Sequence, residues 1–124
     1  MAFCSILRSR ILNTTYMDDC VFCKIASKSI DANLLHEDDL CVIFRDIHPK
    51  APTHLLIVSK KHIPSISEME EGDEKIVGHL INSAKNIAKK LSLTGYQLQF
   101  NVGKDGGQEI FHLHLHLMSN LSSQ

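Results

Sequence analysis

The chain has 124 residues, 44% hydrophobic and 22% charged, with a formal net charge of −1 at pH 7. That length supports one domain with its own core, and the near-neutral balance excludes the basic footprint of a nucleic-acid binder or a polybasic membrane binder. No apolar run approaches the roughly 20 residues that span a bilayer, so neither nucleic acid nor membrane is expected as a partner.

Residues 1–16, "MAFCSILRSRILNTTY", carry Arg8 and Arg10, several hydroxyl side chains and no acid. That composition has two readings. One is a mitochondrial presequence. The other is a disordered tail, or a stretch upstream of a start at Met17, which leaves the protein cytoplasmic. Both put the folded domain at 17–124.

"CVFCKIASKSI" (20–30) places Val21, Phe22, Ile25 and Ala26 at helical spacing, and a short helix sets Cys20 and Cys23 on one face. "NLLHEDD" (33–39) reads as a short strand running into an acidic turn. "LCVIFRD" (40–46) and "THLLIVSK" (53–60) are clear strands, and the proline-bearing "IHPKAP" between them suits an antiparallel pair. In 73–93 the residues Ile76, Val77, Leu80, Ile81, Ala84, Ile87, Ala88 and Leu91 form one apolar stripe, which predicts a long helix. Asp73 and Glu74 at its start and Lys89 and Lys90 near its end suit the helix dipole, with Gly95 just beyond. His79 lies on its flank as an ordinary surface residue. "YQLQFNV" (96–102) alternates as a strand, "GKDGG" (103–107) is a tight loop, and "QEIFHLHLHLM" (108–118) is the last strand. The order predicts an α+β domain: a five-stranded, mainly antiparallel sheet with one long and one short helix.

The last strand carries the chemistry. Side chains alternate across a strand. His112, His114 and His116 therefore share one face, while Phe111, Leu113, Leu115 and Leu117 take the other and can pack under the long helix. Clustered imidazoles repel when protonated, so most are expected neutral near pH 7. A neutral imidazole serves as nucleophile, general base or metal ligand. Gly106 and Gly107 precede the row. Their backbone N–H groups can approach an anion closely, and Gln108 adds an amide donor. An anion beside imidazoles suits phosphoryl transfer, and no P-loop motif is present.

"HLHLHLM" (112–118) resembles the H-φ-H-φ-H-φ-φ motif of the histidine-triad superfamily. "FRDIHPKAPTHLLIVSKKHI" (44–63) and "NVGKDGGQEIFH" (101–112) resemble its Hint-like branch of nucleoside phosphoramidases. The resemblance runs from about Cys20 to Met118. It implies a domain that pairs as a homodimer and binds a nucleoside monophosphate in each site. It implies His114 as the nucleophile that forms a nucleotidyl–histidine intermediate. His116 and His54 contact phosphate or assist the leaving group, and His112 orients the site. Asn101, Gly107, Gln108 and Glu109 match the phosphate-side loop, Asp46 the acid that grips the ribose hydroxyls, and Val21, Phe22, Ile25, Phe44 and Ile47 the apolar pocket for a purine base. Glu109 departs from the serine of many animal members, and "SNLSSQ" lacks the longer tail that shapes the leaving-group side in relatives.

In zinc-bearing members the C-x-x-C pair is completed by two histidines, here His62 and His112. The resemblance so implies a structural zinc site of Cys20, Cys23, His62 and His112, with no cofactor needed for catalysis. A pair of buried thiols, or a Cys20–Cys23 disulfide, is the alternative. Cys41 and Cys4 have no partner evident in the sequence. The expected function is hydrolysis of a P–N or related bond at the α-phosphorus of a purine nucleotide. Two alternatives stay open: a dinucleoside polyphosphate hydrolase, and a nucleotide-binding regulator with incidental catalysis.

Overall fold

The computed structural model describes residues 20–28 and 32–122; the expectations for residues 1–16, Cys4 and Met17 lie outside these. Helix α1 (Val21–Ala26) is followed by strands β1 (His36–Glu37), β2 (Cys41–Arg45) and β3 (Thr53–Ser59). Helix α2 (Glu74–Lys90), β4 (Gln97–Gln99) and β5 (His114–Ser119) complete the domain. The sheet order is β1-β2-β3-β5-β4, with every pair antiparallel. The predicted five-stranded α+β architecture is the observed one.

Alternation along the strands builds two cores. Cys41, Ile43, Leu55, Ile57, Leu115 and Leu117 pack with Leu80, Ala84, Ile87 and Ala88 of α2. Val42, Phe44, Leu56 and Val58 project to the other face and pack with Phe22 and Ala26 of α1. Strand β3 is consequently buried along its whole length. Each fully buried leucine or isoleucine on these faces contributes about 1.5–3 kcal/mol of transfer free energy. The centre of the face under α2 is apolar, with buried hydroxyls of Thr53, Ser59 and Ser119 at the strand ends. The face that carries α1 also carries the alternate residues His54, His114 and His116, so the short helix leaves room for chemistry there.

Several predicted boundaries shift. β1 and β4 are shorter than the spans 33–39 and 96–102, since only those residues find a partner strand. β5 begins at His114 rather than at 108. Just before it, the Leu113 N–H donates to the Ile63 carbonyl at 2.7 Å, and its own carbonyl accepts from the Ser59 N–H. Leu113 thus keeps one bond to the end of β3 and gives its N–H to the segment beyond it, where the ladder stops. Phe111, expected under the long helix, is 47% exposed. Helix α2 ends in a Schellman motif, with the Leu93 N–H on the Ala88 carbonyl and the Ser92 N–H on that of Lys89. The left-handed residue is Ser92, at φ 61°, so the stop precedes Gly95. No helix among the described residues is long and apolar enough to cross a membrane.

Candidate active site

The register of β3 against β5 sets Leu56 opposite His116 and Val58 opposite His114. His54, two residues before Leu56 on the same face, therefore reaches His116 diagonally. Its Nε2 lies 2.9 Å from His116 Nδ1. The His114 and His116 ring centroids are 5.0 Å apart.

The hydrogen-bond partners assign the tautomers. The Lys50 N–H donates to His54 Nδ1 at 3.0 Å, so neutral His54 carries its proton on Nε2. That Nε2–H donates to His116 Nδ1, which leaves the His116 proton on Nε2. Asp46 Oδ2 lies 3.4 Å from the same His54 nitrogen, while its Oδ1 accepts the His48 N–H. His114 donates its Nδ1–H to the His112 carbonyl at 2.6 Å. The Nε2 of neutral His114 is then an unprotonated lone pair. Burial holds His54 and His114 below the ordinary imidazole range. Burial also pushes His116 down to about 4, helped by its two imidazole neighbours. The neutrality expected of clustered histidines thus comes chiefly from desolvation, with mutual repulsion second.

His112 does not complete a row with the other two. Its ring is fully buried and turns into a separate cluster with Cys20, Cys23 and His62. His112 donates its Nε2–H to the Ser59 carbonyl at 2.6 Å, so its bare Nδ1 faces the cluster. His112 Nδ1 lies 3.1 Å from His62 Nδ1 and 3.4 Å from Cys20 Sγ, and Cys23 Sγ lies 3.1 Å from His62 Nδ1. All four donor atoms fall within 4.8 Å of one another. Two sulfurs and two imidazole nitrogens suit tetrahedral zinc, whose Zn–N bonds of about 2.0–2.1 Å set nitrogens about 3.3 Å apart. The Cys20 thiol is held far below its usual range by its hydrogen bond with Cys23, then by those with His112 and His62. Cys20 also caps α1, accepting the Cys23 N–H on its sulfur. No disulfide joins Cys20 and Cys23.

The glycine loop is built differently from the sequence expectation. The Gly106 and Gln108 N–H groups both bond the Gly103 carbonyl, and the Gly107 N–H bonds that of Lys104. The Gln108 side chain is buried; it donates to the Pro64 and Ile110 carbonyls and accepts the Gly103 N–H. Gly106, Gly107 and Gln108 therefore do not offer the predicted donors; they brace the loop. Asn101 ties it from outside, donating to the Gly106 carbonyl at 2.8 Å. Gly107 adopts φ +87°, and a Cβ there would sit 3.3 Å from Asn101 Nδ2. Among the described residues no acceptor takes the Glu109 N–H, at the loop's exit toward His112.

Of the predicted base pocket, Phe22 and Phe44 meet edge to face at 5.7 Å, with Ile25 packed against their cluster. Phe22 also stands edge-on to His114 at 5.1 Å. Val21 and Ile47 lie outside that cluster, 43% and 85% exposed, because Val21 sits on the outer side of α1 and Ile47 in the turn after β2. Three contributors were not expected from sequence: the Ser59 carbonyl, the Lys50 N–H, and Asp46 as a neighbour of His54. Two act through backbone atoms, which leave no mark on residue type.

A family model described as scavenger mRNA decapping enzyme C-term binding matches residues 19–124. The chain is 45% identical over 103 residues to Protein HitA of Neisseria gonorrhoeae, covering 82% of this chain and 96% of that protein. A crystal structure of a HIT family hydrolase from Legionella pneumophila superposes with TM-score 0.78 at 45% identity, covering 84% of this chain and 95% of that one. A histidine triad protein from Clostridium difficile superposes with TM-score 0.80 at 38% identity, covering 87% and 96%. A histidine triad nucleotide-binding protein from Candida albicans is 29% identical, with TM-score 0.71, covering 79% and 72%. Sequence, fold and the alternating histidines of β5 agree, and the chain belongs to the histidine-triad (HIT) family.

Proposed function

We propose that the protein is a nucleotide hydrolase that cleaves a P–N or related bond at the α-phosphorus of a purine nucleotide through a covalent nucleotidyl–His114 intermediate. The observation that carries this reading is the tautomer of His114. Its Nδ1–H is tied to the His112 carbonyl, so the nitrogen presented to the site is an unprotonated Nε2. Relatives described as a HIT family hydrolase and as a histidine triad nucleotide-binding protein support a hydrolytic and nucleotide-binding role.

In this scheme Nε2 of His114 attacks phosphorus and the P–N bond breaks, leaving the positive charge of the substituted ring beside the His112 carbonyl. The leaving nitrogen takes a proton through His116 and His54. An anionic phosphate next to these imidazoles favours their protonated form and offsets the effect of burial. Water then attacks the nucleotidyl–histidine bond, and the same pair accepts its proton. The net reaction consumes one water and releases nucleoside monophosphate and amine. The Glu109 N–H is a donor for the phosphate oxygens, Asp46 accepts from ribose hydroxyls, and Phe22, Phe44 and Ile25 flank the base. Zinc, held by Cys20, Cys23, His62 and His112, supplies no chemistry to these steps and joins α1 to the segment before β5. The protein acts as a homodimer joined along β4, an edge strand with exposed Leu98 and neighbouring Tyr96, with Ile81 of α2 also exposed for a partner.

The test is His114→Ala, assayed for hydrolysis of an adenosine phosphoramidate, for the covalent intermediate by mass spectrometry, and for adenosine monophosphate affinity. Turnover and intermediate should vanish while binding persists. Substantial residual turnover would move the chemistry to another residue, His116 first. Faster turnover of diadenosine polyphosphates by the unaltered protein would favour the sister activity.

A further inference from the structure

A second group of titratable side chains lies under α2, on the face of the sheet away from His114. Asp38, in the turn between β1 and β2, is its centre. Its Oδ1 accepts the Leu40 and Cys41 N–H groups at 2.8 and 2.9 Å, which fixes the carboxylate plane. Its Oδ2 lies 2.8 Å from Nε2 of His36 on β1 and 2.8 Å from Nε2 of His79 on α2. Behind it the buried Cys41 thiol stands 3.7 Å from Oδ2 and 3.6 Å from the Ser83 hydroxyl. Two imidazoles and one pinned carboxylate thus converge from three elements, and all three side chains are partly exposed to solvent.

We propose that His36, Asp38 and His79 form a second divalent-cation site, independent of the cysteine–histidine cluster, with the Cys41 thiol as a reserve donor. The donor set defines the ion. Imidazole with carboxylate favours Zn2+, Co2+ or Ni2+ over Ca2+ or Mg2+, which prefer oxygen throughout. The donor atoms of His36, Asp38 and Cys41 lie within 4.8 Å of one another; His79 stands outside that group but reaches the same Asp38 oxygen at 2.8 Å, so adjustment of its partly exposed side chain completes the site.

The ring nitrogens can also serve as ligands. Each imidazole now donates its Nε2–H to the shared oxygen, and neither Nδ1 has a partner among the described residues. A ring proton carried on Nδ1 instead leaves each Nε2 lone pair open to a dication. The neighbouring cation Lys60 does not compete, because its ammonium is drawn 2.8 Å from Glu37, which Lys28 also holds. A bound ion would clip the β1–β2 turn to α2 and stabilise the edge of the sheet that has the shortest strand.

The experiment uses the full chain with the cysteine–histidine cluster first saturated with Zn2+, then titrated with Co2+ by calorimetry and by NMR of the histidine rings. A second equivalent should bind and broaden the ring signals of His36 and His79. His79→Ala and His36→Gln should each weaken it by about tenfold or more, the equivalent of about 1.4 kcal/mol. His36→Gln is an exposed change outside the turn, so it keeps the test valid should other variants unfold. No second equivalent would overturn the proposal and leave a hydrogen-bonded clip only. So would a second equivalent that survives both substitutions, or broadening centred on His54 and His116 instead.

Discussion

Gly106 and Gly107 are adjacent in sequence, yet the same substitution should affect them differently. At Gly107 the backbone is left-handed, φ +87°, and a Cβ would stand 3.3 Å from Asn101 Nδ2. Placing an L-residue in that conformation costs about 1–2 kcal/mol. Displacing Asn101 from the Gly106 carbonyl adds about 0.5–1.5 kcal/mol. Gly107→Ala should therefore destabilise by about 2–3 kcal/mol, which for a domain of this size lowers Tm by about 10 °C. Gly106 has no positive φ and open space where its Cβ would go. Gly106→Ala should change stability by no more than about 0.5–1 kcal/mol, in the stabilising direction if either. Thermal unfolding followed by circular dichroism measures both. The loop leads through Glu109 toward His112, so Gly107→Ala should also lower kcat/KM for an adenosine phosphoramidate by about 10- to 100-fold through misplacement. Equal Tm shifts for the two variants would refute the conformational argument. An undiminished kcat/KM in a destabilised Gly107→Ala would show that the loop does not position substrate.

His116 and His54 have folded-state pKa values below the unfolded 6.5, with His116 near 4. Their neutral forms stabilise the fold above pH 6.5, and that contribution is lost as pH falls through 6.5 toward 4, where the unfolded chain binds protons first; denaturant midpoints across this window should fall, and His116→Asn should flatten the slope. Protein purified without chelator should hold zinc by elemental analysis, and Cys20→Ser combined with Cys23→Ser should abolish it; metal that survives both changes would exclude these ligands. Sedimentation at micromolar concentration should show twice the chain mass, and Leu98→Lys on β4 should shift it toward the monomer; an unaltered protein that sediments as a monomer would contradict the pairing.

Much of this domain is legible in its residue order because period and burial are local properties. The alternation of β2, β3 and β5, the stripe of α2, and the shared face of His114 and His116 follow from side-chain geometry along single segments. The family resemblance also names the residues of the cysteine–histidine cluster, Cys20, Cys23, His62 and His112. Tertiary structure decided what depends on pairing between segments. The β5 ladder stops at His114 because Leu113 gives its N–H to Ile63 beyond β3, and the His112 ring, held by the Ser59 carbonyl, lies in the cysteine cluster rather than in a row of three. The tautomer of His114 rests on the carbonyl of His112, and that of His54 on the N–H of Lys50. The loop glycines bond one another, a closure that "GKDGG" as letters does not reveal. His79 reads as a surface residue along its helix, yet it meets Asp38 from a turn 41 positions away. Backbone donors and carbonyls are common to nearly every residue. Where they direct chemistry, only the assembled fold distinguishes one from another.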